Sequence, residues 1–273
     1  MSGRIIDLLA VHNGWPIADA DVTTAFMHAA EEELIYTAPA DGWRRPGWSW
    51  KLNKNINGRR TGAQAWFSHF TNVLKELGLT ATESDDCMFV CKKRQIYLIA
   101  HVDDVHGTGP AEELKKLFEE LGKHILLTIE PMLVPGGEGS FLKRTHAWGS
   151  EGLVTVPNKQ LLEDLKEVLN MSTCKPVSTP ATKAWTFQVG DNEELSPADH
   201  STYRTAVGKL LVMAQDRADI KYATKECARE LAGPTGLSMR KVKHIAKYVA
   251  GTADYGDGHQ KGREGVGSDR CLL

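Results

Sequence analysis

No apolar run in this sequence approaches the roughly 20 residues needed to cross a bilayer. Nothing at its start has the basic, apolar and small-residue succession of an export signal. The chain is therefore expected to work without a membrane and inside the cell, in the cytoplasm or the nucleus. Cysteine is sparse and shows no pairing pattern: Cys87, Cys91, Cys174, Cys227 and Cys271 form an odd set, with no C-x-x-C and no paired His cluster at zinc spacing. That excludes a disulfide framework and a zinc ribbon and points to a reducing compartment. Basic excess is lacking too, since the net charge is -2, so no overall cationic coat exists for nucleic acid. Acid, however, is missing altogether between Gly42 and Lys75. That window carries Arg44, Arg45, Lys51, Lys54, Arg59, Arg60 and Lys75, with Trp43, Trp48, Trp50 and Trp66 among them. The mixture suits phosphates and stacked bases, and equally a solvated face over a few core tryptophans.

What is present is ordinary for a folded chain: 273 residues, 41% hydrophobic and 25% charged, enough for one large or two modest domains with a sizeable core. The most informative stretch runs from Tyr97 to Thr108, where an apolar run stops at Asp103-Asp104 and then resumes. This reads as a β-hairpin with two acids at its tip, closed by Gly107, Gly109 and Pro110. Adjacent carboxylates on a tight turn raise one another's pKa unless a cation lies between them. Mg²⁺ takes one or two carboxylates together with phosphate and water oxygens, and a pair of such ions can clamp both oxygens of a phosphoryl transfer. Asp-Asp is also simply good turn chemistry, and the stretch alone leaves both readings open.

Periodicity supplies the rest of the scaffold. Ile5, Leu8 and Leu9 before Gly14 predict a helix from about Arg4 to Asn13, and Ile17 to Val22 predicts a short strand carrying Asp21. Trp66, Phe70, Val73 and Leu77 line one helix face that stops at Gly78; Leu114, Leu117, Phe118 and Leu121 line another after Pro110. Strand, helix, strand hairpin and helix compose a split βαβ unit, an antiparallel sheet with two helices on one face and the acids on a free one. Asp85-Asp86 reads as a turn. Pro131 to Ser140 is a Gly/Pro-rich loop, and 171–197 is a polar, proline-punctuated connection. Ser196-Pro197-Ala198-Asp199 then opens a helix through Tyr203, Val207, Leu210 and Ala214; Ile220, Ala223, Cys227 and Leu231 line a second. Val242, Ile245, Ala246 and Val249 line a third, with Arg240, Lys241, Lys243 and Lys247 outward for phosphates or water.

Asp21-Val22-Thr23-Thr24-Ala25-Phe26 with Glu31-Glu32-Glu33-Leu34-Ile35-Tyr36 resembles the first catalytic motif of the reverse transcriptases of copia-type (Pseudoviridae-like) LTR retrotransposons. Lys51-Leu52-Asn53-Lys54 through Trp66 and Ser84 to Val90 are similar to later family segments in the same order. So are His101-Val102-Asp103-Asp104, Cys174 to Pro180, Tyr203-Arg204 with Val207-Gly208, Asp219-Ile220 with Tyr222-Ala223, and Tyr248 to Gly256. The resemblance implies an α+β fold, a palm with partial fingers over 1–150 and a helical thumb-like region over 151–256, with 257–273 expected to be unstructured. It implies an RNA-directed DNA polymerase, with Asp21, Asp103, Asp104 and the backbone carbonyl of Val22 holding two Mg²⁺ ions, for which Mn²⁺ can substitute. Phe26 would lie under the incoming sugar, Gly58 would let the backbone approach the nucleotide, and Asn57, Arg59 and Arg60 would line the same pocket. Lys51, Lys54, Lys143, Arg144, Lys241, Lys243 and Lys247 would meet nucleic acid, with Phe141 to Arg144 in the place of the primer-gripping hairpin. The implied partners are an RNA or DNA template with its primer, dNTPs, and the remainder of a Pol polyprotein: fingers, integrase and ribonuclease H.

The sequence departs from the family pattern at Asn57 (a tyrosine in the family), Thr61 (a glutamine) and His101 (a tyrosine). Most of the fingers and the ribonuclease H segment fall outside the matching stretch, so a truncated polymerase is expected. The alternative is an inactive, repurposed nucleic-acid-binding fragment. His101 is expected to pack under the turn and not to ligate metal.

Overall fold

The apolar spacing near the start produces helix α1 (Ser2–Asn13), whose Ile6, Ala10 and Val11 are buried along one stripe. A computed structural model describes residues 2–182 and 185–260. The chain divides into two units, one up to Pro135 and the other from Gly136 onward. The division lies earlier than the expected boundary at 150, because the strands that follow Gly136 pair with later ones.

In the first unit α1 leads into β1 (Ile17–Val22), a single 3-10 turn at Ala25–His28, and the short strands β2 (Tyr36–Thr37) and β3 (Trp50–Lys51). Next come α2 (Gly62–Glu76), β4 (Thr80–Ala81), β5 (Met88–Cys91), β6 (Ile96–His101), β7 (Asp104–Thr108), α3 (Ala111–Leu121) and β8 (Leu127–Ile129). The main sheet is antiparallel in the order β4-β5-β6-β7-β1-β8. Four adjacent strands of it, β8-β1-β7-β6 with α2 and α3 as crossovers, have the strand order of a split βαβ unit.

Side chains alternate along β1. Ala18, Ala20 and Val22 enter the core with Trp66, Phe70, Val73 and Leu74 of α2 and Leu114, Leu117, Phe118 and Leu121 of α3. Helix α2 stops where Gly78 takes φ +84° just past its C-terminus, a conformation glycine adopts at no steric cost. Ile17, Asp19 and Asp21 consequently face the other side of the sheet. That side was expected to be free, but α1 packs against β6 and β7 and covers part of it. The helix thereby buries its apolar stripe and Ile17, itself fully buried, on that side.

The second unit contains β9 (Glu138–Phe141), β10 (Arg144–Gly149), β11 (Gly152–Val156), α4 (Lys159–Val168), α5 (Pro197–Met213), α6 (Ala218–Arg229), α7 (Gly236–Gly251) and β12 (Asp257–His259). The strands form an antiparallel sheet in the order β12-β11-β10-β9, and α4 to α7 share a core around Tyr203, Leu210, Ile220 and Val249. Ser196 caps α5 by accepting from the Asp199 N–H at 3.2 Å, as its sequence predicts. Two expectations change here. The Gly/Pro-rich loop ends before Glu138, where β9 begins, and 257–273 opens on a strand, β12. Gly152 admits β12: at φ +140° it lies so close to the His259 backbone that a Cβ would collide with it. Residues 261–273 of that stretch lie outside the described ones. Among described residues between α4 and α5 there is no helix and no ladder beyond a Glu194–Thr235 bridge.

Candidate active site

The antiparallel register sets Asp21 of β1 directly opposite Asp104 of β7, and Asp104 in turn opposite His101 of β6. All three point to the same side of the sheet because residue parity is preserved across the ladder. Between His101 and Asp104 the chain turns through Val102 and Asp103 alone. Val102 adopts φ +59°, a left-handed conformation that is an outlier for a β-branched residue. Two tertiary bonds hold it: the Trp66 indole N–H donates to the Val102 carbonyl at 2.6 Å, and the Val22 N–H donates to the Asp103 carbonyl at 2.8 Å. Strain of this kind persists only where the surroundings over-determine it. The first-motif strand and α2 therefore both fix the acidic tip.

Asp21 and Asp103 are exposed and Asp104 is half-buried. Burial raises the Asp104 pKa above its ordinary value, and the charges of Asp103 and Asp21 raise it further, while His101 opposes them. This donor set fits a divalent cation: hard carboxylate oxygens from adjoining strands, with a repulsion that a cation would relieve. Among the described residues, no three carboxylate, imidazole or thiolate side chains are drawn together closely enough to hold a metal ion as they stand. His101 is exposed and does not pack beneath the turn as expected, because it lies on the sheet face that the acids share. At Asp85-Asp86 the chain turns as its sequence predicts, Asp85 accepting the Cys87 N–H at 2.9 Å.

The residues expected around a nucleotide are unequal. Phe26 follows the 3-10 turn's left-handed Thr24 and packs, half-buried, against the core edge next to β1. Gly58 has φ +91° with open space where a Cβ would be, beside exposed Asn57 and Arg60. Arg59 is already engaged, its guanidinium reaching Glu31 at 2.9 Å and Glu33 at 3.0 Å. Lys51 is exposed on β3, and Lys54 donates to the His28 carbonyl at 2.7 Å. In the second unit Lys143 stands exposed at the β9–β10 turn, whereas Arg144 pairs with Asp216 and Lys241 with Glu230. Lys243 is exposed and Lys247 half-buried on α7. A cavity of about 470 Å³ lies between Ala29 to Glu33, Asn55 and the stretch of α2 from Gln64 to Asn72; none of the three aspartates lines it.

One cluster escaped the sequence reading. His106, on β7 two residues beyond Asp104, is fully buried between Asp19 of β1, at 2.6 Å from its Nδ1, and Asp7 of α1, at 3.2 Å from its Nε2. Burial alone would lower the imidazole pKa, but hydrogen bonds to Asp19 and Asp7 outweigh it and push it up to about 10. The imidazolium thus ties α1 to the two strands that carry Asp21 and Asp104. Its partners lie far apart along the chain, so no local motif announces them.

The family described as "Reverse transcriptase (RNA-dependent DNA polymerase)" matches residues 2–183, more than half of the chain. The chain belongs to this reverse transcriptase family. Its relatives include the retrovirus-related Pol polyproteins from transposons RE1 and RE2 of Arabidopsis thaliana, 29% and 28% identical over 95% of this chain. A third is the Pol polyprotein from transposon TNT 1-94 of Nicotiana tabacum, 28% identical over 91% of it. These are Pol polyproteins of copia-type transposons, and this reverse transcriptase domain spans only 18–19% of their length. Among the described residues no helix is long and apolar enough to cross a membrane.

Proposed function

We propose that this chain is the nucleotidyl-transfer core of a copia-type reverse transcriptase, acting on a primed RNA or DNA template and dNTPs within a larger Pol polyprotein. The first unit serves as the palm, and the helices of the second as the thumb. The observation that carries this reading is the register pair Asp21–Asp104, with Asp103 beside it on a turn that Trp66 and Val22 pin. Asp21 and Asp103, being exposed, are free to rotate toward a common ion beside the half-buried Asp104. Two Mg²⁺ ions held there would activate the primer hydroxyl and stabilise the leaving pyrophosphate. The protein's own share is positioning: the pinned tip fixes the carboxylates, Phe26 supports the sugar and excludes a 2′-hydroxyl, and Gly58 with Arg60 receives the triphosphate.

The test combines metal binding with catalysis. Mn²⁺ should raise the melting temperature of the wild type and do so far less for Asp103→Asn and Asp104→Asn, while primer extension on an RNA template is lost in both variants. Equal stabilisation of all three proteins would sink the metal assignment. Mn²⁺ binding without any extension by the wild type would favour an inactive nucleic-acid-binding fragment.

A further inference from the structure

None of the catalytic roles above uses the cavity of about 470 Å³ beside α2. That volume is ordinary for a ligand pocket, but most such pockets are apolar and this one is walled by polar groups. One wall is α2, where Gln64, Ser68 and Asn72 recur every fourth residue on the exposed face, opposite buried Trp66, Phe70 and Val73, along about 12 Å of helix. The other wall, Ala29 to Glu33, brings the carboxylates of Glu31, Glu32 and Glu33. Arg59 bridges Glu31 and Glu33 at 2.9 Å and 3.0 Å, whereas Glu32 has no counter-ion among the described residues. Asn55 also lines the cavity and is only 1% exposed. Its Nδ2 donates to the Ala30 carbonyl at 2.7 Å, while its buried Oδ1 has no hydrogen-bond partner among the described residues. Buried acceptors are normally paired, so this one calls for a donor. Burial lowers the His69 pKa and the charge of Lys54 lowers it further, which leaves a neutral imidazole able to accept a hydrogen bond.

Such a wall repels phosphates, which excludes a nucleotide or a nucleic-acid backbone as the occupant. A bare divalent ion is too small to fill the space, and among the described residues no three metal-ligating side chains converge there. The occupant must instead carry positive charge, offer several N–H donors and extend along the helix. Its donors must also be separated by apolar stretches, since Ala29, Ala30 and Ala65 interrupt the polar lining. We propose that this cavity binds a linear polyamine, its ammonium groups donating to Glu32, the Asn55 Oδ1 and the α2 side chains, its methylene segments lying on the alanines. The inference goes beyond the proposed function and does not depend on it.

The experiment titrates the full chain with spermidine by calorimetry, in buffer of fixed ionic strength with and without Mg²⁺. Spermidine should bind at a single site that Mg²⁺ does not empty. Ser68→Lys places a cation on the exposed helix face inside the cavity and should weaken binding about tenfold or more. Glu32→Gln removes one rim charge and should weaken it about two- to fivefold. Glu167→Gln, an exposed carboxylate on α4 of the other unit, should change nothing. Argininamide, a compact cation, should bind far more weakly than spermidine, because it cannot reach both ends of the row on α2. Circular dichroism checks folding; Ser68 and Glu32 are both exposed, so either variant keeps the test decisive if the other fails to fold. Equal binding by wild type and Ser68→Lys, loss of binding in Mg²⁺, an equal effect of Glu167→Gln, or argininamide binding as tightly as spermidine would each overturn the proposal. Asp104→Asn should bind spermidine like wild type; a loss there would put the amine at the catalytic acids and overturn it too. Binding is read without primer extension, so a failure of catalysis and a failure of this site are distinguished.

Discussion

The β6–β7 and β9–β10 hairpins each turn through two residues without a glycine, and they are held in different ways. At the β9–β10 tip Leu142 and Lys143 both adopt positive φ, 50° and 62°. That pattern is the type I′ turn, whose twist matches the strands it joins, so local geometry suffices. At the β6–β7 tip only Val102 is left-handed, and the Trp66 indole and the Val22 N–H bind the turn carbonyls from other elements. A left-handed non-glycine residue costs about 1–2 kcal/mol, and Val102 is the more strained for being β-branched. A turn with no carboxylate to aim can be left to local rules. A turn that must aim two carboxylates is anchored from outside.

The comparison is broken most sharply by catalysis. Asp104→Asn at the anchored tip should cut primer extension on the order of 10³-fold, which corresponds to about 4 kcal/mol, whereas Lys143→Ala at the local tip should change it less than tenfold. Similar losses in steady-state extension assays would erase the distinction.

Next in size is the buried imidazole behind the anchored tip. His106→Leu leaves Asp7 and Asp19 buried against an apolar side chain and should cost about 3–5 kcal/mol in denaturant unfolding. The sign of its pH dependence follows from a pKa raised to about 10 from the ordinary 6.5. The contribution is complete below about pH 6.5 and is lost as pH climbs toward 10, because the unfolded chain gives up the proton first. Wild-type stability should therefore fall between pH 7 and pH 10 more steeply than that of His106→Gln. Parallel slopes would mean that His106 is not charged in the folded state.

A smaller effect tests the anchor itself. Trp66→Phe keeps a ring in the core but removes the donor to Val102, and should cost about 1–2 kcal/mol. Extension should drop further than the stability loss explains. If extension and stability fall together, the indole is only packing. The smallest expected change is at the local tip, where Lys143→Gly should raise stability by up to about 1 kcal/mol by removing a left-handed side chain. Thermal unfolding that shows a loss there instead would mean that Lys143 makes contacts its exposure hides.

Much of the first unit was legible because its signals are local. The apolar stripe of α2 and its Gly78 stop, the stripe of α3, and the hydrophobic strand broken by Asp103-Asp104 each occupy one short window. Elements of the second unit were less so: β10 buries His146 and Trp148 at alternate positions, and a titratable residue at one of only two inward positions weakens a period-2 signal. Helix α4, with Leu162 and Leu165 inward and a mostly charged outer face, passed unnoticed for a similar reason. The basic candidates show the same limit from the other side. Arg59, Arg144 and Lys241 look alike in sequence to Arg60, Lys143 and Lys243, and only folding brings Glu31, Asp216 and Glu230 against the first three.

The sequence by itself determined the helices other than α4, the hairpin and the acid-free aromatic stretch, because periodicity, turn chemistry and charge are properties of neighbours in the chain. Tertiary structure alone decided that Asp21 faces Asp104, that Trp66 and Val22 hold a strained Val102, that α1 closes over the sheet, and that His106 lies between Asp7 and Asp19. Strand register and burial are set by the collective packing of segments up to about a hundred residues apart. No local window contains both members of such a pair.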